Sequence, residues 1–95
     1  MIGKKVIVRG HKSGVFYGEL IKKEGQEVEL KNGRRLWYWD GANSISELAV
    51  NGTAKPENCK FTVVVESIGI LDVIEIVSCT EKAINSIEDT KVWKY

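Results

Sequence analysis

The densest group of residues able to do chemistry is the run from Arg34 to Ser44. If this run begins as a β-strand, alternation puts Arg35, Trp37 and Trp39 on one face. A guanidinium beside two large aromatic surfaces suits a phosphorylated aromatic ligand, because rings stack on a base and the guanidinium binds phosphate. The pattern therefore predicts ligand-binding roles for these three side chains.

A predicted helix start follows this strand directly. Ser44 and Glu47 fit a capping box, in which the serine accepts from a free amide of the first turn and the glutamate reaches back. Free amides and the helix dipole favour anions, and Asp40 and Asn43 have groups able to read base edges or ribose hydroxyls. Strand, turn and helix start together outline a nucleotide pocket that includes Asp40, Asn43 and Ser44. The competing interpretation is structural, since clustered aromatics in a strand commonly form core and edge packing.

Two residues nearer the start of the chain are further candidates. Arg9 precedes a glycine at the end of a predicted strand, where an arginine is either a phosphate ligand or a solvated surface charge. Phe16 follows Gly14 and is either an exposed stacking ring or part of the core.

The chain has few residues able to catalyse a reaction or bind a metal. It contains one histidine, His11, and two cysteines, Cys59 and Cys79, twenty positions apart, whereas a zinc site needs about four ligands. It has no glycine-rich phosphate loop and no nucleophile elbow. Asp72 and Glu75 fall on opposite faces of one strand. We therefore predict a protein that is not an enzyme and has no metal and no cofactor.

Size and charge limit the class of protein. With 95 residues, the chain is long enough for one domain, residues 1–95, with a marginal core. The hydrophobic content of 43% and the charged content of 28% are those of a globular domain. A net charge of +1 gives no bulk attraction to long nucleic acid or to an anionic membrane. Without a signal peptide or an apolar run long enough to span a membrane, we expect a cytoplasmic protein.

The first forty residues are predicted to form four strands. Apolar and β-branched runs indicate strands at 6–8, 15–21, 27–30 and 35–39, separated by clusters of turn-forming residues. Asn32 and Gly33 form the strongest short hairpin signal, because both tolerate positive φ. The pattern predicts an antiparallel sheet or a small barrel-like meander.

The second half is predicted to add two helices and two strands. Ser44 begins a short central helix that ends near Gly52, residues 53–58 form a loop, and Thr80 begins a C-terminal helix over 81–88. One strand is predicted from Cys59 to Glu66, with Phe61, Val63 and Val65 on one face. Gly69 then marks a bulge or bend, and a second strand is predicted from Leu71 to Val77. That last strand is apolar on both faces, which is typical of a central strand or of one covered by a second subunit. The fold class is α+β. The last four residues, 92–95, form an aromatic tail, which we expect to pack on another part of the protein because large aromatic side chains are normally buried.

The same motifs carry a resemblance to a known family. The run from Arg34 to Ser44 resembles small bacteriophage proteins that include the Thoeris anti-defence proteins of the first type. The further matching stretches are Gly14 to Gly18, Cys59 to Phe61, Leu71 to Ile76, and Val92 to Lys94.

The resemblance implies a non-enzymatic sponge. Such phage proteins bind the cyclic ADP-ribose isomers made by host TIR-domain enzymes, so that the defence effector is not activated, and some members also bind cyclic oligonucleotides. It implies a homodimer or a hexamer with pockets between subunits. Within the matching motifs, chemistry assigns stacking to Phe16 and Trp39, pyrophosphate binding to Arg9 and Arg35, and ribose or adenine contacts to the polar residues Asp40, Asn43 and Ser44.

Two other functions remain open. The same aromatic residues could form a stacking platform for single-stranded nucleic acid, with strong salt dependence. Alternatively, the chain could be an inhibitor that faces a host protein and plugs it with the aromatic tail.

Overall fold

The computed structural model describes residues 1–94 and has six strands and two helices. The strands are β1 (Lys5–Gly10), β2 (Val15–Glu24), β3 (Glu27–Tyr38), β4 (Lys60–Phe61), β5 (Val65–Ile70) and β6 (Val73–Ser78). The helices are α1 (Ile45–Asn51) and α2 (Glu81–Asp89), and a single 3-10 turn spans Pro56–Asn58. The predicted α+β class, with an antiparallel sheet, a short central helix and a C-terminal helix, is confirmed. No helix in the described part of the chain is long and apolar enough to cross a membrane.

The six strands form one antiparallel sheet. Its order is β4-β3-β2-β1-β6, and β5 pairs with β3 on the side that β4 also occupies. Consecutive strands β5 and β6 therefore lie at opposite ends of the sheet, although only Leu71 and Asp72 separate them. So short a connection requires the sheet to curl.

One face of the sheet forms a core from strands alone. It contains eight buried residues of β1, β2, β3, β5 and β6 and no helical residue. The members are Val6, Val8, Phe16, Leu20, Val28, Leu30, Ile70 and Val73. Because no helix covers them, the curl of the sheet must exclude water from this inner face.

The two helices cover the opposite, outer face. Ile7, Tyr17 and Leu36 of the sheet are buried there against Leu48 of α1 and Ile87 of α2. Both helix starts agree with the sequence prediction: the Ser44 hydroxyl accepts from the Glu47 amide and the Thr80 hydroxyl from the Ala83 amide. The apolar stripe of each short helix therefore faces the sheet, as expected for amphipathic helices.

The predicted hairpin at Asn32 and Gly33 is wrong, because β3 runs unbroken through both residues. Asn32 has a φ of 51° in the middle of the strand. On the neighbouring strand β2, Tyr17 pairs with Arg34 and Glu19 pairs with Lys31. One residue of β2 therefore lies opposite two residues of β3, so β3 carries one extra residue at this point. The positive φ that the sequence predicted thus produces a β-bulge instead of a turn.

The strand predictions beyond residue 59 also need correction. The predicted strand from Cys59 to Glu66 is two strands, β4 and β5, separated by residues 62–64. Phe61 is therefore buried while Val63 and Val65 are exposed, so the three do not share a face. Gly69 pairs in regular register with Glu29, without the predicted bulge. The last strand, β6, is an edge strand and not a central one.

Candidate functional site

Two tryptophans from distant parts of the chain stack on the surface. Their ring centroids lie 5.3 Å apart with an interplanar angle of 24°, and Trp37 and Trp93 are 59% and 44% exposed. Large aromatic side chains normally bury most of their area. This stack therefore presents an unusual amount of flat apolar surface to solvent.

The ammonium group of Lys60 lies over both tryptophan rings. Its Nζ is 5.1 Å from the centroid of Trp37, 5.4 Å from that of Trp93 and 6.0 Å from that of the half-exposed Tyr38. Among residues 1–94, no carboxylate lies within ion-pair distance of this nitrogen. We call Trp37, Tyr38, Lys60 and Trp93 the aromatic patch; it combines π surface with one positive charge held by cation–π contacts.

A second β-bulge orients Trp37. Leu36 of β3 pairs with Phe61 of β4, and Tyr38 pairs with Lys60. Phe61 and Lys60 are consecutive, but Trp37 lies between Leu36 and Tyr38, so Trp37 is the extra residue of the bulge. A bulge re-aims the side chain of its extra residue. Trp37 is thus turned outward at the site where β4 brings Lys60 alongside.

Backbone pairing holds the tail in place. Val92 forms a parallel bridge with Phe61, and the Trp93 amide donates to the Phe61 carbonyl at 2.8 Å. The tail therefore packs on β4 as well as on Trp37. The prediction that the aromatic tail packs on something is confirmed for Val92 and Trp93, while Tyr95 lies outside the described residues.

Buried Arg34 fastens the end of α2 to the sheet. Its guanidinium donates to the carbonyls of Thr62, Ile87, Thr90 and Phe61 at 2.8–3.2 Å. Burial lowers the pKa of Arg34, and nearby Tyr17 opposes that effect. The positive charge of Arg34 is stabilised by these four carbonyl oxygens, two of which lie at the negative end of the α2 dipole, and not by a carboxylate. Arg34 therefore fixes the chain just before the tail.

The structure places Phe16 in the inner core, at 2% exposure, so its ring is not available to stack on a ligand. The Arg35 guanidinium lies 4.4 Å from the Phe16 ring centroid and donates to the Ser13 carbonyl. Arg35 itself is exposed on that side. Two of the predicted ligand contacts, Arg35 and Phe16, therefore touch each other, with the Arg35 cation at the edge of the inner core.

The predicted face shared by Arg35, Trp37 and Trp39 does not exist. Beyond the bulge at Trp37 the alternation shifts by one residue, and the strand ends at Tyr38. Trp39 is half-buried and packs against the helix-covered core. Only Trp37 of the two candidate tryptophans in this run presents its ring on the surface with Lys60.

Arg9 and Arg35 do not converge on one site. Val8, Phe16 and Arg35 are cross-strand neighbours and share a face, so Arg9, next in β1, lies on the other face. The Arg9 Nε donates to Glu75 at 3.0 Å. The two arginines lie on opposite faces of the sheet, so the prediction that both bind one pyrophosphate is wrong.

The polar residues at the predicted helix start hold the local fold. The Asp40 carboxylate accepts from the Asn58 side chain and, to a smaller extent, from the Gly41 amide, and these bonds hold its pKa below the ordinary value. The Asn43 amide donates to Glu47, and Ser44 caps α1. The Glu47 carboxylate thus already fills the anion position at this helix start. Ligand contacts by Asp40, Asn43 and Ser44 remain predictions.

Cys59 and Cys79 are both free thiols. Cys59 is buried beside Asp40 and Thr53, where its sulfur faces the Thr53 hydroxyl at 3.5 Å. Burial raises the pKa of Cys79 to about 11. Within residues 1–94 no group of three or more His, Cys, Asp or Glu side chains is placed to hold a metal ion.

Comparison with known proteins places the chain in a family. The model of a domain of unknown function, DUF6948, matches residues 3–87. The chain belongs to the DUF6948 family. No curated protein and no solved structure matches it. The DUF6948 match includes Trp37 and Lys60 but stops before Trp93.

The sequence analysis did not single out Lys60, which the structure places over the rings of this DUF6948 domain's aromatic patch. The available signal was Lys60 next to Phe61, since alternation predicts that a lysine beside a buried phenylalanine projects to the opposite side. What the sequence could not show is that β4 pairs with the end of β3 and that the tail returns beside it. The resulting patch can hold a flat ring by stacking and a negative group through Lys60.

Proposed function

We propose that this protein is a non-catalytic binding protein that sequesters a cyclic ADP-ribose-type signal at the aromatic patch. The observation that carries the proposal is the exposed Trp37–Trp93 stack with the Lys60 ammonium over both rings. The adenine of the ligand stacks on the indole surface, and Lys60 binds the pyrophosphate. In a phage, such a protein would withhold the signal from a host defence effector, as the sequence resemblance implies.

The chemistry of the patch suits a small phosphorylated ring better than a long polyanion. Stacking of one base on an aromatic side chain contributes about 1–3 kcal/mol, and the ammonium adds a charge-assisted contact. Long nucleic acid requires many phosphate contacts along a basic surface, whereas the net charge is +1 and Lys60 is the cation over these rings. A ligand with one base and one pyrophosphate matches what the patch offers.

The test is calorimetric titration of the full chain with cyclic ADP-ribose isomers. We expect binding by wild type and a loss of about tenfold or more in Trp37→Ala, because one stacking surface is removed. Lys60→Met should weaken binding about tenfold, whereas Lys12→Met, which neutralises an exposed lysine in the β1–β2 loop, should leave it unchanged. Ligand recovered intact after heating the complex supports sequestration.

Three outcomes would contradict the proposal. No binding of any isomer by wild type removes the ligand class, and recovery of a cleaved ligand replaces sequestration with hydrolysis. Equal binding of an unstructured oligonucleotide, falling steeply with salt, would identify the single-stranded nucleic-acid module instead.

A further inference from the structure

Strand β6 has an open edge with free main-chain groups. It pairs with β1 on one side, and no other strand of the described chain pairs with its other side. The Cys79 amide donates to the Lys5 carbonyl of β1, so the main-chain groups of Cys79 point toward β1. Main-chain groups alternate in direction along a strand, so those of Ile76 and Ser78 point away from β1. Within residues 1–94, no other group bonds to them.

This open edge is bounded at both ends by other parts of the chain. At its start, the Val73 amide donates to the Gln26 carbonyl in the β2–β3 turn at 3.0 Å. Beyond its end, the Thr80 amide donates to the Ala49 carbonyl of α1 at 3.0 Å. The edge between these two bonds, residues 74–79, is therefore open to a short extended segment.

The composition of β6 is that of a covered strand. Open sheet edges are normally protected by lysine, by proline or by an element that lies over them. β6 contains neither lysine nor proline, and its side chains on both faces are mostly apolar. That pattern is typical of a central strand. Pairing of another strand with the open edge would make β6 central.

Four consecutive residues of β6, 73–76, line an apolar groove of about 590 Å³. The groove also contacts Leu20 of β2 and the first two residues of the chain. Ile74 is 46% exposed, and Ile76 packs only in part against the inner core. An added strand would place alternate side chains in this groove, which is how strand addition recognises its partners.

Charge specifies the added segment further. Lys23 also lines the groove, and its ammonium donates to the Gly25 carbonyl at 3.0 Å. Among residues 1–94, no carboxylate lies within ion-pair distance of this ammonium. Glu75, the acidic residue of the lining, already forms an ion pair with Arg9. The positive charge of Lys23 therefore favours a segment that carries an acidic residue.

We propose that the open edge of β6 binds an extended segment of another protein, which adds to the sheet as a further strand. The segment has apolar residues at alternate positions and an acidic residue that meets Lys23. A second copy of this chain does not fit, because its own β6 is flanked by the same β2–β3 turn and α1. The aromatic patch involves β3 and β4, far from β6 in the strand order, so this inference does not rest on the proposed function.

Nuclear magnetic resonance of the full chain tests strand addition with the peptide Glu-Val-Thr-Val-Thr-Val-Thr, which has the required pattern. We expect the amide signals of Ile76 and Ser78 to shift and to become protected from hydrogen exchange. Ser78→Pro removes an outward amide that β1 does not use, a position at which edge strands tolerate proline. It should weaken binding about fivefold or more, whereas Ser78→Thr should bind as wild type does. Circular dichroism of both variants confirms folding.

Peptide variants test the same pairing on the wild-type protein. N-methylation of one alternate set of peptide amides should abolish binding, and methylation of the other set should not, because only one set faces β6. Ile74→Asp should weaken binding about tenfold by placing a carboxylate in the apolar groove. Val64→Asp is the matched control, because Val64 is 50% exposed and lies between β4 and β5.

Three results would overturn the proposal. The first is the absence of any shift in β6 at millimolar peptide, and the second is an equal effect of the two methylation patterns. The third is protection of the Ile76 and Ser78 amides that rises with protein concentration in the absence of peptide, which would identify a second copy as the occupant.

Discussion

At the scale of single residues, two adjacent arginines have opposite roles. Arg34 is buried and donates to four main-chain carbonyls, whereas Arg35 is exposed and covers the edge of Phe16. Neighbouring residues in a strand face opposite sides of a sheet. Arg34, which is not among the ligand candidates of the sequence analysis, is therefore the one that joins the sheet to the end of α2.

Arg34→Met tests this difference. Removal of the guanidinium leaves several buried carbonyls without a donor, so we expect a loss of about 3 kcal/mol or more in the free energy of unfolding. Arg35→Met is the matched control and should cost less than about 1 kcal/mol, since its carbonyl contact lies at the surface. Urea unfolding of both variants measures the difference. Equal losses would show that Arg34 has no special structural role.

The Tyr17–Glu88 pair predicts a dependence on pH. The Tyr17 hydroxyl donates to the Glu88 carboxylate at 2.6 Å, and Lys5 forms an ion pair with the same oxygen. Desolvation raises the pKa of Glu88, but the bonds from Lys5 and Tyr17 outweigh it and hold that pKa below its ordinary value. The stability from this carboxylate is therefore fully present above the ordinary pKa and is lost as pH falls through the lowered one.

Tyr17→Phe should accordingly destabilise the protein by about 1–2 kcal/mol at neutral pH. The difference from wild type should shrink once Glu88 is protonated in both proteins, because the carboxylate acceptor is then neutral. Unfolding free energies measured at neutral pH and at a pH below the Glu88 pKa give the comparison. A loss independent of pH would mean that the hydroxyl acts only through packing.

At the scale of elements, two bulges in β3 separate what sequence patterns could and could not predict. Strands β1 and β2, both helix starts and the α+β class follow from alternation and capping signals, and the Ser44 and Thr80 caps are where those signals placed them. The phase of β3 could not be predicted, because it depends on the extra residues Asn32 and Trp37, which only pairing with β2 and β4 defines. The shift at Trp37 sends Trp39 to the core.

Substitutions at Asn32 test the first bulge. Its φ of 51° is left-handed, a region that asparagine tolerates and β-branched residues avoid. Asn32→Val should lower the free energy of unfolding by about 1–2 kcal/mol. Asn32→Gly should be at least as stable as wild type to within about 0.5 kcal/mol. Thermal unfolding of the two variants measures this. A Val variant as stable as wild type would contradict the left-handed bulge.

At the scale of the whole molecule, the candidate site joins the middle of the chain to its end. Trp37 and Lys60 come from β3 and β4, and the tail brings Trp93 across more than thirty residues to complete the stack. The sequence showed each aromatic segment but not their contact, because long-range contacts depend on how the sheet curls. The exposed Trp37–Trp93 stack is therefore the surface that we propose for ligand binding.

Nuclear magnetic resonance of the three indole N–H groups tests the ligand proposal most directly. Trp37 and Trp93 lie in the aromatic patch, and half-buried Trp39 packs against the helix-covered core as an internal control. During titration of the full chain with cyclic ADP-ribose, we expect the signals of Trp37 and Trp93 to shift while that of Trp39 stays in place. Signals that all remain unmoved at saturating ligand, or a shift of Trp39 alone, would contradict it.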